Sequence, residues 1–417
     1  MKKTLLILAG LLLLLGGCGE KQVVLRVIDW ASGQEEVIIR EQVALFEKAH
    51  PDIKVELETV NWHRMRDKLM IATAGGRTLD ITRISSEWFA PLADKGVLVP
   101  LDEYVEEKGF DIDDFYPNAL RDCRYKGKLY GIPVSVDPYA MYYNKKMFDE
   151  AGVPYPDETW DFDKYIEMCG KLTRDKDGDG RLDQWGTDVH ADITPYLYGF
   201  GGQYVSDDHS RCALNSPEAL KTFRLLTDLI YEYKVSPTAD DTANLGNYKL
   251  FTQGKLATIV SGSWAADAIF SREGKAIGLD FDTAPVPKGP KGRYTKMITN
   301  SYGIMRYSEH RKEAWEFIKW MSGAECQIMS AERILFIPVR KSAAEDFLAV
   351  QRPPRNKQAF IDAIDCGMGS VQVSCWPEAE NIISGFVEKM LLGKEPIEDI
   401  ADDAVREVNK ILAAEKR

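Results

Sequence analysis

Past its amino terminus the chain alternates strand and helix patterns, and this order restricts it to a sheet with helices on its faces. Val23-Val24-Leu25-Arg26-Val27-Ile28 is an apolar, β-branched run that reads as a buried strand. Ile39, Val43 and Phe46 then recur on one helical face, and His50-Pro51 ends that helix because the residue before proline avoids the helical region. Ile53, Val55 and Leu57 alternate with Lys54, Glu56 and Glu58 as a second strand. Met65, Leu69 and Ala72 mark a second helix closing at Gly75-Gly76, and Asp80-Ile81-Thr82-Arg83-Ile84 is a short third strand. Such an order predicts an α/β fold in which ligands gather at the carboxyl ends of strands. The pattern resumes beyond Asp137, with helices expected at 161–172, 217–233, 311–322, 377–391 and 397–412.

At 417 residues the chain exceeds what a single core usually holds, so two or three domains are expected. Fifty-three basic against 65 acidic residues give a net charge of −12, with no basic excess to neutralise phosphates, and nucleic acid is not an expected partner.

The first residues set the compartment. Lys2-Lys3, an apolar run from Leu5 to Leu15 and the small residues Gly16-Gly17 follow the order of a secretory signal, assigned to residues 1–17. Leu15-Gly16-Gly17-Cys18 resembles the bacterial lipobox, which implies acylation of Cys18 ahead of a short linker over 18–22. The expectation is an extracytoplasmic, membrane-anchored lipoprotein, in the periplasm or on the outer face of the plasma membrane, with lipid as its sole membrane contact. Export permits disulfides. Cys366 and Cys375 are the nearest pair, for which a bridge and two buried thiols stand as equal alternatives.

Local signatures of chemistry are missing. His50, His63, His190, His209 and His310 are scattered, and there is no phosphate-binding glycine loop, nucleophile elbow or Cys-x-x-Cys. Sixty-five carboxylates keep a glycoside hydrolase using Asp137 and Glu87 open as an alternative. No cofactor is required. One stretch has metal-like spacing: Asp175, Asp177, Asp179, Arg181 (through its carbonyl) and Asp183 take positions 1, 3, 5, 7 and 9 of a calcium loop, with Gly180 at position 6. Gly186 stands at position 12 where a bidentate Glu is usual, so a structural calcium and a plain Asx-rich turn remain equal readings.

Nine tryptophans and 18 tyrosines in an acidic exported chain suit a carbohydrate, whose C–H faces stack on rings while its hydroxyls need carboxylates or amides. Several segments, in this order, resemble the bacterial extracellular solute-binding proteins of ABC sugar importers, the family that includes maltose-binding protein. They are Trp62 with Lys68-Leu69; Trp88 with Leu92-Ala93-Asp94-Lys95-Gly96; Lys128-Leu129-Tyr130-Gly131-Ile132-Pro133; Tyr142-Tyr143-Asn144-Lys145; Gly262-Ser263-Trp264; and Ala314-Trp315-Glu316-Phe317.

The resemblance implies a two-lobe periplasmic-binding-protein fold of type II. Residues 23–135 plus 286–325 form one lobe and 136–285 plus 326–417 the other, with hinge crossings near Val134–Pro138, Ala284–Pro287 and Ser322–Met329. It implies a monomer that binds a sugar or oligosaccharide between the lobes and delivers it to ABC permease subunits; a same-fold receptor for peptides, polyamines or other solutes is the second alternative. By position it assigns Asp137 to sugar hydroxyls, Glu87 and Trp88 to a pair after the third strand, and Trp264 to stacking, with Gly262 letting the ligand approach the backbone. Trp30 and Gln34 fall in a loop after the first strand, where Gln34 replaces an acid. Trp376, Tyr196 and Tyr198 resemble second-lobe aromatics, and Trp62, Tyr139 and Asn300 are further cleft candidates. Trp315 and Trp320 lie in an amphipathic helical pattern and are expected in the core.

Overall fold

The computed structural model describes residues 22–74, 79–190, 192–242, 245–269 and 278–415; the leader, Cys18 and Gly75-Gly76 lie outside the described residues. The amino-terminal alternation forms as expected, with strands β1 (Val23–Trp30), β2 (Ile53–Val60) and β3 (Ile81–Ser85) and helices α1 (Gln34–Ala49) and α2 (Trp62–Ala74). β1 pairs in parallel with β2 on one side and β3 on the other, so all three strands end at the same edge. A short hairpin, β4 (Arg124–Tyr125) and β5 (Lys128–Leu129), precedes β6 (Ile132–Pro138). The long strand β10 (Thr295–Ile304) runs antiparallel between β3 and β6, and its first residues also pair with β11 (Gly367–Met368) to complete six strands.

Past Pro138 the chain enters a second sheet, in which β7 (Ala140–Asn144) lies between β8 (Thr258–Ser261) and β9 (Phe281–Ala284). Alternation along β7 feeds both faces of this sheet: Ala140 and Tyr142 continue the first hydrophobic core, whereas Met141 and Tyr143 belong to a second core with Tyr165, Phe223, Leu226 and Val408. The later helices fall within a turn of their expected bounds, as Phe162–Leu172, Pro217–Tyr231, Arg311–Met321, Trp376–Leu391 and Ile397–Glu415. Asp161 and Ser216 cap the first two of these by accepting from the backbone N–H three residues on. Trp315 and Trp320 pack on the first core, donating to Glu107 and to the Gln42 carbonyl.

The chain passes between the sheets at Pro138 to Ala140, between Ala284 and Thr295, and after Met368. Ser322–Met329 is no crossing. It joins two helices, Arg311–Met321 and Ala324–Ile334, that both pack on α1, and Gln42 Nε2 donates to the Cys326 carbonyl at 2.8 Å. Residues 326–348 accordingly pack with the first lobe, where Ala331, Leu335, Ile337, Val339 and Phe347 are buried, whereas Asn356 and Phe360 also reach β9 and β7 of the second sheet.

All six cysteines among the described residues are thiols. The Cys366–Cys375 bridge does not form: the Cys366 thiol turns back to the Asp362 and Ala363 carbonyls. Among the described residues no helix is long and apolar enough to cross a membrane.

Candidate ligand-binding cleft

Because β1, β2 and β3 end together, the residues just past each strand meet. Trp30 closes β1, Trp62 follows β2, and Glu87 and Trp88 follow β3. The three indoles pack on one another, with ring centroids 5.8 Å apart for Trp30–Trp62, 5.5 Å for Trp30–Trp88 and 4.8 Å for Trp62–Trp88. Trp62 is 41% exposed, while Trp88 is buried at 4% and does not line the cavity. Trp88 thus supports the other two from beneath and is not placed for stacking on a ligand.

A buried ionic group holds this wall. The Arg83 guanidinium lies 4.4 Å from the Trp30 ring centroid, and its Nη1 donates to Glu35 Oε1 at 2.6 Å, Asp29 Oδ1 at 3.3 Å and the Trp30 carbonyl at 3.2 Å. The Tyr302 hydroxyl donates to the other oxygen of Asp29. Burial pushes the Asp29 carboxyl up to about 6 even with Arg83 beside it. Glu35, one residue beyond the expected Gln34, is the acid that faces the cavity; Gln34 is exposed and does not line it.

The opposite wall follows β8. Its last residue, Ser261, leads into Gly262-Ser263-Trp264, and the Trp264 ring folds back over Gly262. A Cβ on Gly262 would sit 2.1 Å from that ring, so the glycine makes room for the indole itself rather than for a ligand. Trp264 Nε1 donates to the Tyr248 hydroxyl at 2.9 Å, Tyr248 shares a 2.5 Å hydrogen bond with Ser261 Oγ, and the Tyr139 ring stands edge-on to Trp264 at 5.3 Å.

Between the walls lies a cavity of about 450 Å³ lined by Trp30, Glu35, Trp62, Arg83, Glu87, Asp137, Tyr139, Trp264, Asn300 and Phe336, among others. Asp137, at the end of β6, ties its two sides: Ser263 Oγ donates to Oδ1 at 2.5 Å and Asn300 Nδ2 to Oδ2 at 2.8 Å. Burial raises this carboxyl to about 6. Each of its oxygens therefore already serves one internal bond.

Tyr198 and Trp376 line a second cavity of about 580 Å³, together with Asp192, Tyr204, Lys296 and Glu380. The two cavities meet at Lys296, whose Nζ lies 3.1 Å from Glu87 on the first side and 3.6 and 3.9 Å from Asp192 and Glu380 on the second. Burial opposes the charge on Lys296, but these acids more than offset it; burial in turn raises Glu380 to about 7. Tyr196 is elsewhere, 3% exposed in the second core with its ring 4.8 Å from Phe162.

Glu35, Arg83, Lys296, Asp192, Glu380 and Tyr248 escaped the sequence reading. For Arg83 a signal existed: a strand buried along its whole length carries one guanidinium, which has to find a counter-charge. In the acidic loop, Asp175, Asp177 and Asp183 bring carboxylate oxygens within 4.8 Å of one another, and Asp179 is not part of that group. This three-oxygen donor set suits a hard divalent cation.

The sequence profile of the family described as bacterial extracellular solute-binding protein matches residues 30–328, a span that carries both walls of the first cavity. A maltotriose-binding protein of Pyrococcus abyssi is 27% identical over 303 residues, covering 71% of this chain and 62% of that protein. A galactooligosaccharide-binding protein of Bacillus subtilis is 24% identical over 331 residues, covering 77% of this chain and 74% of that protein. Among solved structures, an ABC substrate-binding protein from Listeria monocytogenes in complex with cycloalternan matches with a TM-score of 0.82 at 26% identity, over 94% of this chain and 99% of that one. The shared profile, the two-sheet architecture and a cleft at the strand ends agree: this chain is a type II binding protein, not an enzyme, and belongs to the bacterial extracellular solute-binding protein family.

Proposed function

We propose that this chain is an extracytoplasmic receptor that holds a sugar or oligosaccharide between its lobes and hands it to the permease of an ABC importer. The observation that carries this reading is the convergence of Trp30 and Trp62 from one wall and Trp264 and Tyr139 from the other on a single cavity that also holds Glu35, Glu87 and Asn300. Rings offer sugar C–H faces a surface, and the polar groups replace hydroxyl hydration. Relatives named for maltotriose and galactooligosaccharide binding support the same class.

A ligand touching both walls binds the closed arrangement better than an open one, and that differential affinity shifts the population the permease senses. Attachment through an acylated Cys18 would keep the receptor at the membrane, and it would act as a monomer. Calcium at Asp175, Asp177 and Asp183 would be structural; addition of calcium to chelator-treated protein is expected to raise Tm, and Asp177→Asn to abolish the rise.

Thermal-shift screening of a saccharide panel, with peptides and polyamines as controls, tests the reading. A saccharide is expected to raise Tm in a concentration-dependent way, and stabilisation by a control alone would replace the sugar with that solute.

A further inference from the structure

We infer that the Lys296–Glu87 ion pair is a partition that sets the length of the bound saccharide, an inference that rests on the sugar reading above. Two cavities of about 450 and 580 Å³ lie side by side, each lined by aromatic rings and acids: Trp30, Trp62 and Trp264 in the first, Tyr198, Tyr204 and Trp376 in the second. Glu87 lines only the first and Lys296 only the second, and their charged ends are 3.1 Å apart. The wall between the cavities at this point is therefore a pair of side chains, not backbone.

Both partners are largely withdrawn from water, with side-chain exposures of 19% for Lys296 and 20% for Glu87. Lys296 is held from behind by Asp192 and Glu380 and lies 6.0 Å from the Tyr139 ring centroid. A saccharide entering the first cavity meets this pair at its far end. Its neutral hydroxyls can bond to either charge, but they supply no counter-charge, so separating the pair leaves the largely buried Glu87 without its cation, while Lys296 keeps Asp192 and Glu380. A short ligand ends there without that cost. A longer one must open the partition to place further rings against Tyr198 and Trp376, so the pair penalises length while both cavities remain chemically suited to sugar.

The decisive measurement is calorimetric titration of the full chain with one homologous series, disaccharide through hexasaccharide, using a linkage that stabilises the wild type in the thermal-shift screen. Lys296→Met is expected to raise the ratio of hexasaccharide to disaccharide affinity about tenfold, the scale of one charge-assisted contact. Lys296→Arg, which keeps the cation, is expected to leave the ratio near that of wild type. If Lys296→Met fails to fold because three acids lose their cation, Glu87→Ala takes its place, opening the wall from the other side with Asp192 and Glu380 still paired to Lys296. A ratio unchanged in the folded variant overturns the partition while the sugar reading stands. A wild type that binds no saccharide of any length overturns the sugar reading itself, and with it any role in measuring saccharide length.

Discussion

The two walls of the first cavity present the same kind of surface, an indole, but brace it by different physics. Trp30 rests on a buried guanidinium shared among Glu35, Asp29 and its own carbonyl, and Trp62 and Trp88 pack against its ring. Trp264 is braced by neutral groups alone, through its N–H to Tyr248, Tyr248 to Ser261, and the absence of a Cβ at Gly262. The first arrangement balances costly buried charges and cannot lose one member without stranding the others; the second can lose one hydrogen bond and keep its packing.

The sharpest way to break this comparison is Arg83→Met. Removing the guanidinium leaves Asp29 and the inner oxygen of Glu35 without their cation, and the expected loss of stability is about 3 to 5 kcal/mol. Urea unfolding measures it. A loss no larger than that of a neutral hydrogen bond would show that the ionic group is not what holds the first wall. Next in size is Trp264→Ala, expected to weaken saccharide binding by at least about tenfold, or about 1.4 kcal/mol, with the fold retained. Affinity equal to wild type would take Trp264 out of the site. Tyr248→Phe removes the acceptor for the indole N–H and the bond to Ser261 but keeps the ring, so about 1 kcal/mol of stability is expected to go. A loss matching Arg83→Met would erase the distinction between the walls.

The contrast also explains what could be read in advance. The β1–α1–β2–α2–β3 order is visible because a period of two and a period near 3.6 leave different apolar spacings, and the family resemblance pointed to Trp30, Trp62 and Trp264, which line one cavity here. Which neighbour faces the cleft was not visible. Gln34 and Glu35 both open α1, and the phase of that helix against β3 turns Glu35 toward Arg83. Likewise Tyr196 and Tyr198 sit on one short helix, Thr194–Gly199, yet one enters the second core and the other the second cavity. Trp88 matched the position of a ligand-stacking ring but went beneath its neighbours, since a third indole at these strand ends has only the core to occupy. Lys296 gave no local signal at all. Its three acids come from positions 87, 192 and 380, and only tertiary packing brings them together.

The measurement that separates the two braces most cleanly is a pH titration, because it depends on charge alone. The folded Asp29 carboxyl titrates at about 6 against an ordinary value of 3.8, so between those values the fold keeps a proton that the unfolded chain has released. Its contribution to stability is thus fully present below pH 3.8 and is lost as pH rises through about 6. The difference in unfolding free energy between wild type and Asp29→Asn should fall across that window and level off above it. Tyr248 has no such dependence, since burial raises its hydroxyl further above 10 and keeps it neutral throughout. The corresponding difference for Tyr248→Phe should be flat over the same pH range in parallel urea titrations. Two flat curves would mean that Arg83 and Tyr302 offset the burial of Asp29 in full, and pH would then not distinguish the two walls.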